Sequence, residues 1–183
     1  LIGEGRTLIQ LALKYMGESL NTNDPMWVNQ AEKLLTRQKV NVKDFGKKNG
    51  RDLLINGEVD LAILSNEDYK EITDSDIEFT FPREGSLIWQ DSICISKSSQ
   101  LPGDSHAVIN SFLEPKNGRS LAEDIQFATP NIMALDLCKE SYKNNHTLFP
   151  SAQTIGRYED TSSILDFDYE MMIEEMWDNI LSA

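Results

Sequence analysis

The chain has 183 residues, of which 40% are hydrophobic and 26% are charged, and this composition is typical of an ordinary globular protein. The formal net charge of −13 argues against a nucleic-acid partner, because phosphate backbones are bound by basic patches. No segment approaches the roughly 18 consecutive apolar residues that cross a bilayer.

The predicted elements of residues 1–81 alternate between helices and strands. Apolar side chains at three- to four-residue spacing predict the helices, and nearly continuous apolar runs predict strands that are covered on both faces. Gly17 and Gly57 are expected to end helices, and Asp24 with Pro25 to begin one. The expected elements are helices over 5–16 and from 24–25 onward, a strand over 40–45, a small helix capped by Asn49 and ending at 55, a strand over 59–64, a helical turn from 66, and a strand over 77–81.

The stretch from Leu87 to Ile95 predicts a strand, because apolar and β-branched residues run through it. Successive side chains of a strand alternate between its faces, so Trp89 and Asp91 share a face with Leu87 and Ile95. This pattern has two interpretations. Trp89 can be ordinary core beside an exposed Asp91, or the indole and the carboxylate can together bind a cationic, partly apolar ligand.

Helices dominate the prediction for the rest of the chain. One is capped by Asp104 or Ser105 and carries an apolar stripe from Val108 to Leu113, and another begins at Thr129-Pro130 and runs through 137. An amphipathic helix over 165–181 is expected to pack through Tyr169, Met172, Met176 and Ile180. The alternation of helices and strands along the chain predicts the α/β class.

The reactive side chains form no recognisable catalytic or metal-binding motif. Cys94 and Cys138 are expected to be buried free thiols, with a single disulfide as the alternative. His106 and His146 lack metal-ligand spacing and are expected at the surface. The sequence therefore favours a binding protein that needs neither metal nor cofactor, and an enzyme is the more distant alternative.

Five segments occur in the order and with nearly the spacing that is typical of one protein family. The segments are LALKYMGESLNTNDP (11–25), DLLINGEVDLAIL (52–64), FPREGSLIWQDSICISK (81–97), ATPNIMALDL (128–137) and HTLFPSAQTI (146–155). They lie between residues 11 and 155, and the resemblance that they carry extends over essentially the whole chain. The chain therefore resembles the periplasmic spermidine/putrescine-binding proteins, which capture substrate for polyamine ABC transporters, more specifically than any single motif would indicate.

The resemblance implies an α/β, two-lobed, type II periplasmic-binding-protein fold with ligand in the cleft between the lobes. It implies that the chain is a C-terminal portion of such a protein, with a signal sequence and most of the N-terminal lobe upstream. Residues 1–90 would lie mainly in the C-terminal lobe, 91–135 in the N-terminal lobe, and 136–183 in the C-terminal lobe again. A monomer that delivers polyamine to a membrane permease is expected, in the periplasm or lipid-anchored outside the cytoplasmic membrane.

The resemblance also implies roles for individual residues. Trp89 matches a tryptophan that flanks the methylene chain of the polyamine, and Asp91 matches an aspartate that pairs with an amine. Glu4 keeps the first acid of a D-x-x-E pair, whereas Thr7 replaces the second. Phe127 keeps the ring of a tyrosine and loses its hydroxyl.

Other positions depart from the family pattern. Ser65 stands where a second cleft tryptophan is common, and Lys47 lies in a stretch that supplies a cleft serine in the family. A polar ligand position falls around residues 159–161. These departures leave two alternatives open: the same fold binding a different small ligand, and a non-transport role as a sensor or adhesion protein.

Overall fold

The computed structural model of the protein describes residues 5–45, 50–73, 76–161 and 167–183. The chain divides into two units: unit 1 comprises Leu1–Trp89 and Ala152–Ala183, and unit 2 comprises Gln90–Ser151. Unit 2 is therefore inserted into unit 1 along the sequence. Residues 136–151 group with unit 2, whereas the expected return to the first lobe followed residue 135; the correspondence between units and lobes stays a prediction.

The elements follow one another in an order dominated by helices. In chain order they are α1 (Gly5–Tyr15), α2 (Pro25–Gln38), a 3-10 turn (Lys39–Asn41), α3 (Gly50–Ile55), α4 (Asn66–Tyr69), β1 (Leu87–Ile88), α5 (Pro102–Leu113), α6 (Pro115–Ile125), α7 (Ile132–Leu137), α8 (Glu140–Lys143), α9 (Ala152–Ile155), β2 (Glu159–Asp160) and α10 (Phe167–Ser182).

The core of unit 1 lies between α1, α2 and α10. Each helix buries one apolar stripe, as its spacing predicts. The buried side chains are Leu8, Ile9, Ala12 and Leu13 from α1, Val28, Ala31 and Leu35 from α2, and Tyr169, Ile173, Met176 and Ile180 from α10. Gly5, the first residue of α1, packs directly against Trp177 of α10. A Cβ built on Gly5 would lie 2.3 Å from the ring of Trp177, so only glycine fits there.

The predicted helix ends at Gly17 and Gly57 and the predicted helix start at Asp24 are confirmed, whereas the helix predicted to begin at Thr129-Pro130 begins at Ile132. Gly17 and Gly57 have positive φ angles of 89° and 67°, and each is followed by the paired backbone hydrogen bonds of a Schellman motif, such as Glu18 N–H to the Leu13 carbonyl at 3.0 Å. The carboxylate of Asp24 accepts a hydrogen bond from the Met26 N–H at 2.9 Å, which caps α2 ahead of Pro25.

The strands are much shorter than predicted. The one ladder among the described residues joins β1 to β2 in parallel, with Leu87 opposite Glu159 and Ile88 opposite Asp160. The strand predicted to reach Ile95 ends at Ile88. The predictions of strands over 40–45, 59–64 and 77–81 are wrong for the described residues, because extended backbone forms a strand only where a neighbouring strand pairs with it. Val40 instead lies in the 3-10 turn and is 86% exposed.

Unit 2 packs α6, α7 and α8 around a small core of Ala122, Cys138, Tyr142 and Leu148. Gly118 lets α6 approach α7, because a Cβ there would lie 3.0 Å from that of Ala134. Helix α6 was not predicted. Helix α5 begins at Pro102, before the predicted cap, and its expected apolar stripe is not buried: Val108 is 55% exposed and Leu113 is 61% exposed.

The two cysteines differ in exposure, and both histidines lie at the surface. Both cysteines are free, so the disulfide alternative is wrong; Cys138 is buried as expected, whereas Cys94 is exposed. His106 and His146 are exposed, which confirms their predicted surface position. Within the described ranges, no helix has the length and apolar character needed to cross a membrane.

Candidate ligand-binding site

Trp89 directly follows β1 and its side chain is 47% exposed, so it is not an ordinary core residue. Asp91 is also exposed. The division between the units falls between Trp89 and Gln90. The W-x-D motif therefore contributes an accessible indole at the end of one segment of unit 1 and an accessible carboxylate at the start of unit 2.

The pairing of β1 with β2 sets the surroundings of Trp89 within unit 1. Trp89 and Thr161 follow the carboxyl ends of two neighbouring parallel strands, which lie about 4.8 Å apart in a sheet. Asp160 is exposed and Thr161 is half-buried. Ligands of open α/β proteins bind outside the carboxyl ends of the strands, so this edge is where a ligand is expected.

Gly85 makes this strand pairing sterically possible. Its φ angle is 104°, and a Cβ built on it would lie 2.1 Å from the carbonyl oxygen of Arg157. Only glycine therefore permits the chain entering β1 to approach the chain entering β2 this closely. The N–H of Glu159 then donates to the Ser86 carbonyl at 3.1 Å and begins the ladder.

Glu159 lies in the stretch where a polar ligand group was expected, but its carboxylate is bound within the protein. One oxygen forms an ion pair with Lys14, and the other accepts hydrogen bonds from the Ser19 hydroxyl at 2.5 Å and the Leu20 N–H at 3.1 Å. Burial alone would raise the pKa of this carboxyl, but the bonds from Lys14 and Ser19, the Lys14 charge and the Leu20 N–H together lower it.

Phe127 is half-buried in unit 2, and the segment that carries it is held by Tyr142. The Tyr142 hydroxyl donates a hydrogen bond to the Phe127 carbonyl and accepts one from the Thr129 N–H at 3.1 Å. Asn131 then caps α7 through the Ala134 N–H and donates to the Leu113 carbonyl at 2.9 Å. Sequence reasoning missed Tyr142, since its partners lie more than ten residues away along the chain.

The remaining predicted residues fall on both units or outside the described ranges. Thr7 is half-buried on α1, next to Arg6, which forms an ion pair with Glu170 of α10. Thr7 and Trp89 belong to unit 1, whereas Asp91 and Phe127 belong to unit 2. Glu4 and Lys47 lie outside the described residues, as does the predicted cap Asn49.

Ser65 has a local structural role at the position where the family commonly has tryptophan. Its hydroxyl accepts from the Asp68 N–H at 3.1 Å, and the Asp68 carboxylate accepts from the Ser65 N–H at 3.4 Å, which forms a capping box for α4. This departure from the family pattern therefore stabilises a helix start.

A shallow pocket in unit 2 contains none of the predicted site residues. Its lining consists of Glu123, Gln126, Lys139, Ser141 and Tyr142. The carboxylate of Glu123 accepts from the Lys139 N–H at 2.7 Å and pairs with Arg119, so it is neutralised within the protein. Among the described residues no group of three or more His, Cys, Asp or Glu side chains could hold a metal ion.

Comparison with known proteins identifies relatives along nearly the whole chain. No protein-family model matches it. It is 30% identical over 180 residues to the spermidine/putrescine-binding periplasmic protein of Salmonella typhimurium, which covers 94% of this chain and 52% of that protein. It is 31% identical over 157 residues to the Escherichia coli protein of the same name, covering 85% of this chain and 45% of the relative.

The fold agrees with this relationship. The substrate-binding protein PotD of the Streptococcus pneumoniae spermidine/putrescine ABC transporter superposes with a TM-score of 0.79 at 21% identity, over 98% of this chain and 56% of that one. The chain spans about half the length of the curated relatives that it matches. It is thus a relative of the spermidine/putrescine-binding periplasmic proteins and has the type II α/β fold of PotD-type substrate-binding proteins.

Proposed function

We propose that this chain is part of an extracytoplasmic solute-binding protein that binds a polyamine and delivers it to the permease of an ABC importer. The observation that carries the proposal is the sequence match to spermidine/putrescine-binding proteins over 94% of the chain. The exposed indole of Trp89 and the exposed carboxylate of Asp91 support it, because both side chains are available to a ligand.

The chemistry of a polyamine suits these two groups. A polyamine alternates ammonium groups with apolar spacers of three or four carbons. The face of Trp89 covers a spacer and attracts a neighbouring cation, a contact worth roughly 0.5–2 kcal/mol. Asp91 accepts charge-assisted hydrogen bonds from an ammonium group, and Phe127 and Thr7 are proposed to line the same cleft, with Glu4 as a second acid.

Binding requires no covalent chemistry and no cofactor. Trp89 and Asp91 lie on one continuous segment that leaves unit 1 and enters unit 2. The family resemblance implies a ligand cleft between two lobes, and a ligand held there favours the closed arrangement of the lobes, which the permease would recognise. The proposed location is the periplasm, or a lipid-anchored position outside the cytoplasmic membrane.

The test is a titration of the full-length protein with putrescine and spermidine, followed by tryptophan fluorescence and calorimetry. We expect saturable binding in the micromolar range, with a fluorescence change that disappears in Trp89→Phe. Asp91→Asn should weaken binding by tenfold or more, because it removes the charge and keeps the shape. Asp124→Asn removes another exposed carboxylate of unit 2 and should leave the affinity unchanged.

A folded full-length protein that binds neither polyamine at millimolar concentration would contradict the proposal. The alternative of a different small ligand is favoured by one observation: Glu159, in the expected ligand stretch, is already paired with Lys14. Thr7→Glu restores the missing acid of the family pattern. If polyamine affinity arises only in Thr7→Glu, the native site serves another ligand.

A sensor or adhesion role with the same fold makes a different prediction. Such a protein binds its ligand without supporting uptake. Reconstitution with the permease and ATPase of the proposed importer, followed by measurement of polyamine uptake into vesicles, separates the two roles. Binding without any stimulation of uptake would exclude the transport role.

A further inference from the structure

Three side chains from the last turn of α1 and the loop after it form polar contacts with β2. Lys14 pairs with one oxygen of the Glu159 carboxylate, and the Ser19 hydroxyl donates to the other at 2.5 Å. The side-chain amide of Asn21 donates to the Asp160 carbonyl at 2.8 Å. We name this group, Lys14, Ser19 and Asn21 around Glu159, the β2 clamp.

The backbone at Gly85 covers one side of the clamp. A Cβ built on Gly85 would lie 3.0 Å from the Cε of Lys14, so the lysine stem lies across the turn that enters β1. The side chains of Lys14 and Glu159 are only 16% and 26% exposed. An ion pair this enclosed, whose carboxylate also accepts hydrogen bonds from Ser19 and Leu20, fixes its partners more firmly than an exposed surface pair does.

The clamp acts on the strand next to Trp89. Glu159 donates its N–H to the Ser86 carbonyl and pairs with Leu87, two residues before Trp89. Movement of β2 therefore moves β1 and the indole that follows it. The contacts from the clamp through β2 and β1 to Trp89 all lie within unit 1.

We propose that the β2 clamp is a positioning device for the ligand site: it sets the carboxyl ends of β2 and β1, and through them the indole of Trp89, without contacting the ligand. This inference rests on the proposed polyamine-binding function. It assigns to Glu159 the role of a structural acid. The alternative is that the Glu159 carboxylate contacts the ligand directly.

The two roles of Glu159 predict different selectivity. A positioning residue affects every ligand that stacks on Trp89, so Lys14→Met and Glu159→Gln should weaken putrescine and spermidine by the same factor, about tenfold. A ligand-contacting carboxylate would favour the ligand with more ammonium groups. In that case Glu159→Gln would weaken spermidine more than putrescine, and Lys14→Met would strengthen spermidine binding.

The experiment is calorimetric titration of full-length variants with both polyamines, after thermal unfolding has verified that each variant is folded. Lys14→Arg keeps the ion pair and should retain the wild-type affinity within about threefold. Lys43→Met removes an exposed ion pair with Glu58 elsewhere in unit 1 and serves as the matched control. Unchanged affinity in folded Lys14→Met and Glu159→Gln would overturn the proposal, as would the unequal losses described above.

A second measurement needs no ligand, and it separates failure of the clamp from failure of polyamine binding. The backbone N–H of Glu159 is bonded to Ser86, so its hydrogen exchange reports the β1–β2 pairing. We expect about tenfold faster exchange at Glu159 in Lys14→Met than in Lys43→Met. Equal exchange rates would overturn the clamp even if the wild-type protein binds polyamines.

Discussion

The hydroxyl of Tyr142 donates a hydrogen bond to the carbonyl oxygen of Phe127, and the same oxygen atom of Tyr142 accepts one from the N–H of Thr129. One side chain of α8 thus bonds both ends of a short backbone segment that lies between α6 and α7. Tyr142 is 3% exposed and packs edge-on against Phe149, with ring centroids 5.3 Å apart. The position of Phe127 therefore depends on a residue outside its own segment.

Tyr142→Phe should lower the free energy of unfolding by about 1–3 kcal/mol, because it removes the hydroxyl that bonds both the Phe127 carbonyl and the Thr129 N–H. Urea unfolding measures this loss. Tyr15→Phe is the matched control, since the Tyr15 side chain is 66% exposed. An equal effect in both variants would mean that the hydrogen bonds of Tyr142 to Phe127 and Thr129 contribute nothing specific to stability.

Gly85→Ala should be more damaging than the same change at another glycine with positive φ. It combines a left-handed backbone with a Cβ that would lie 2.1 Å from the Arg157 carbonyl, and we expect a loss of about 2–5 kcal/mol. Gly57→Ala meets no atom within 4 Å and should cost only the backbone strain, about 1–2 kcal/mol. Chemical unfolding of the two variants tests this order, and equal losses would contradict it.

The two cysteines should differ sharply in reactivity. Cys94 is exposed, so Ellman's reagent should modify it rapidly in the folded protein. Burial, and then the charge of Glu123, raise the pKa of Cys138, so its thiolate is both scarce and inaccessible until the protein unfolds. The fast phase should vanish in Cys94→Ser and persist in Cys138→Ser; a fast phase that survives Cys94→Ser would refute this assignment.

The Lys14–Glu159 pair should make stability depend on pH. The pKa of Glu159 lies below its ordinary value of 4.5, so the folded protein favours the carboxylate form. Its contribution is fully present above that value and is lost as the pH falls through the lowered pKa. The difference in urea midpoint between wild type and Glu159→Gln should therefore be largest near neutral pH and should shrink as the pH falls below 4.5 and through the lowered pKa. A difference that is constant with pH would exclude this ion pair as its source.

Features encoded locally were predictable from the sequence. The stripe of α1, the Asp24 cap of α2 and the glycines that end α1 and α3 depend on residues within one or two helical turns. Strands were not predictable in this way, because β1 exists only where β2 pairs with it, more than seventy residues further along the chain. Apolar runs such as 59–64 have the composition of a strand and lack a partner strand among the described residues.

The candidate site shows the same limit. Comparison with a family pattern singled out Trp89, and its exposure agrees with a role outside the core. The family pattern does not indicate that Ser65 caps α4, although the S-x-x-D spacing of Ser65 and Asp68 is a local capping signal. It does not indicate either that Glu159 is bound by Lys14, because these residues lie 145 positions apart along the chain. The hydrogen bonds of Asn21 and Tyr142 join residues distant in sequence, and no local signal encodes them.

The insertion of unit 2 into unit 1 determines the order in which the protein can be completed during translation. Helix α10 supplies Tyr169, Ile173 and Ile180 to the core that α1 begins. The ribosome must therefore finish all of unit 2 before α10 can complete the core that α1 and α2 begin. Unit 2 is contiguous along the chain and can form as it emerges, whereas the apolar surface of α1 and α2 that α10 covers stays accessible to chaperones until α10 is made.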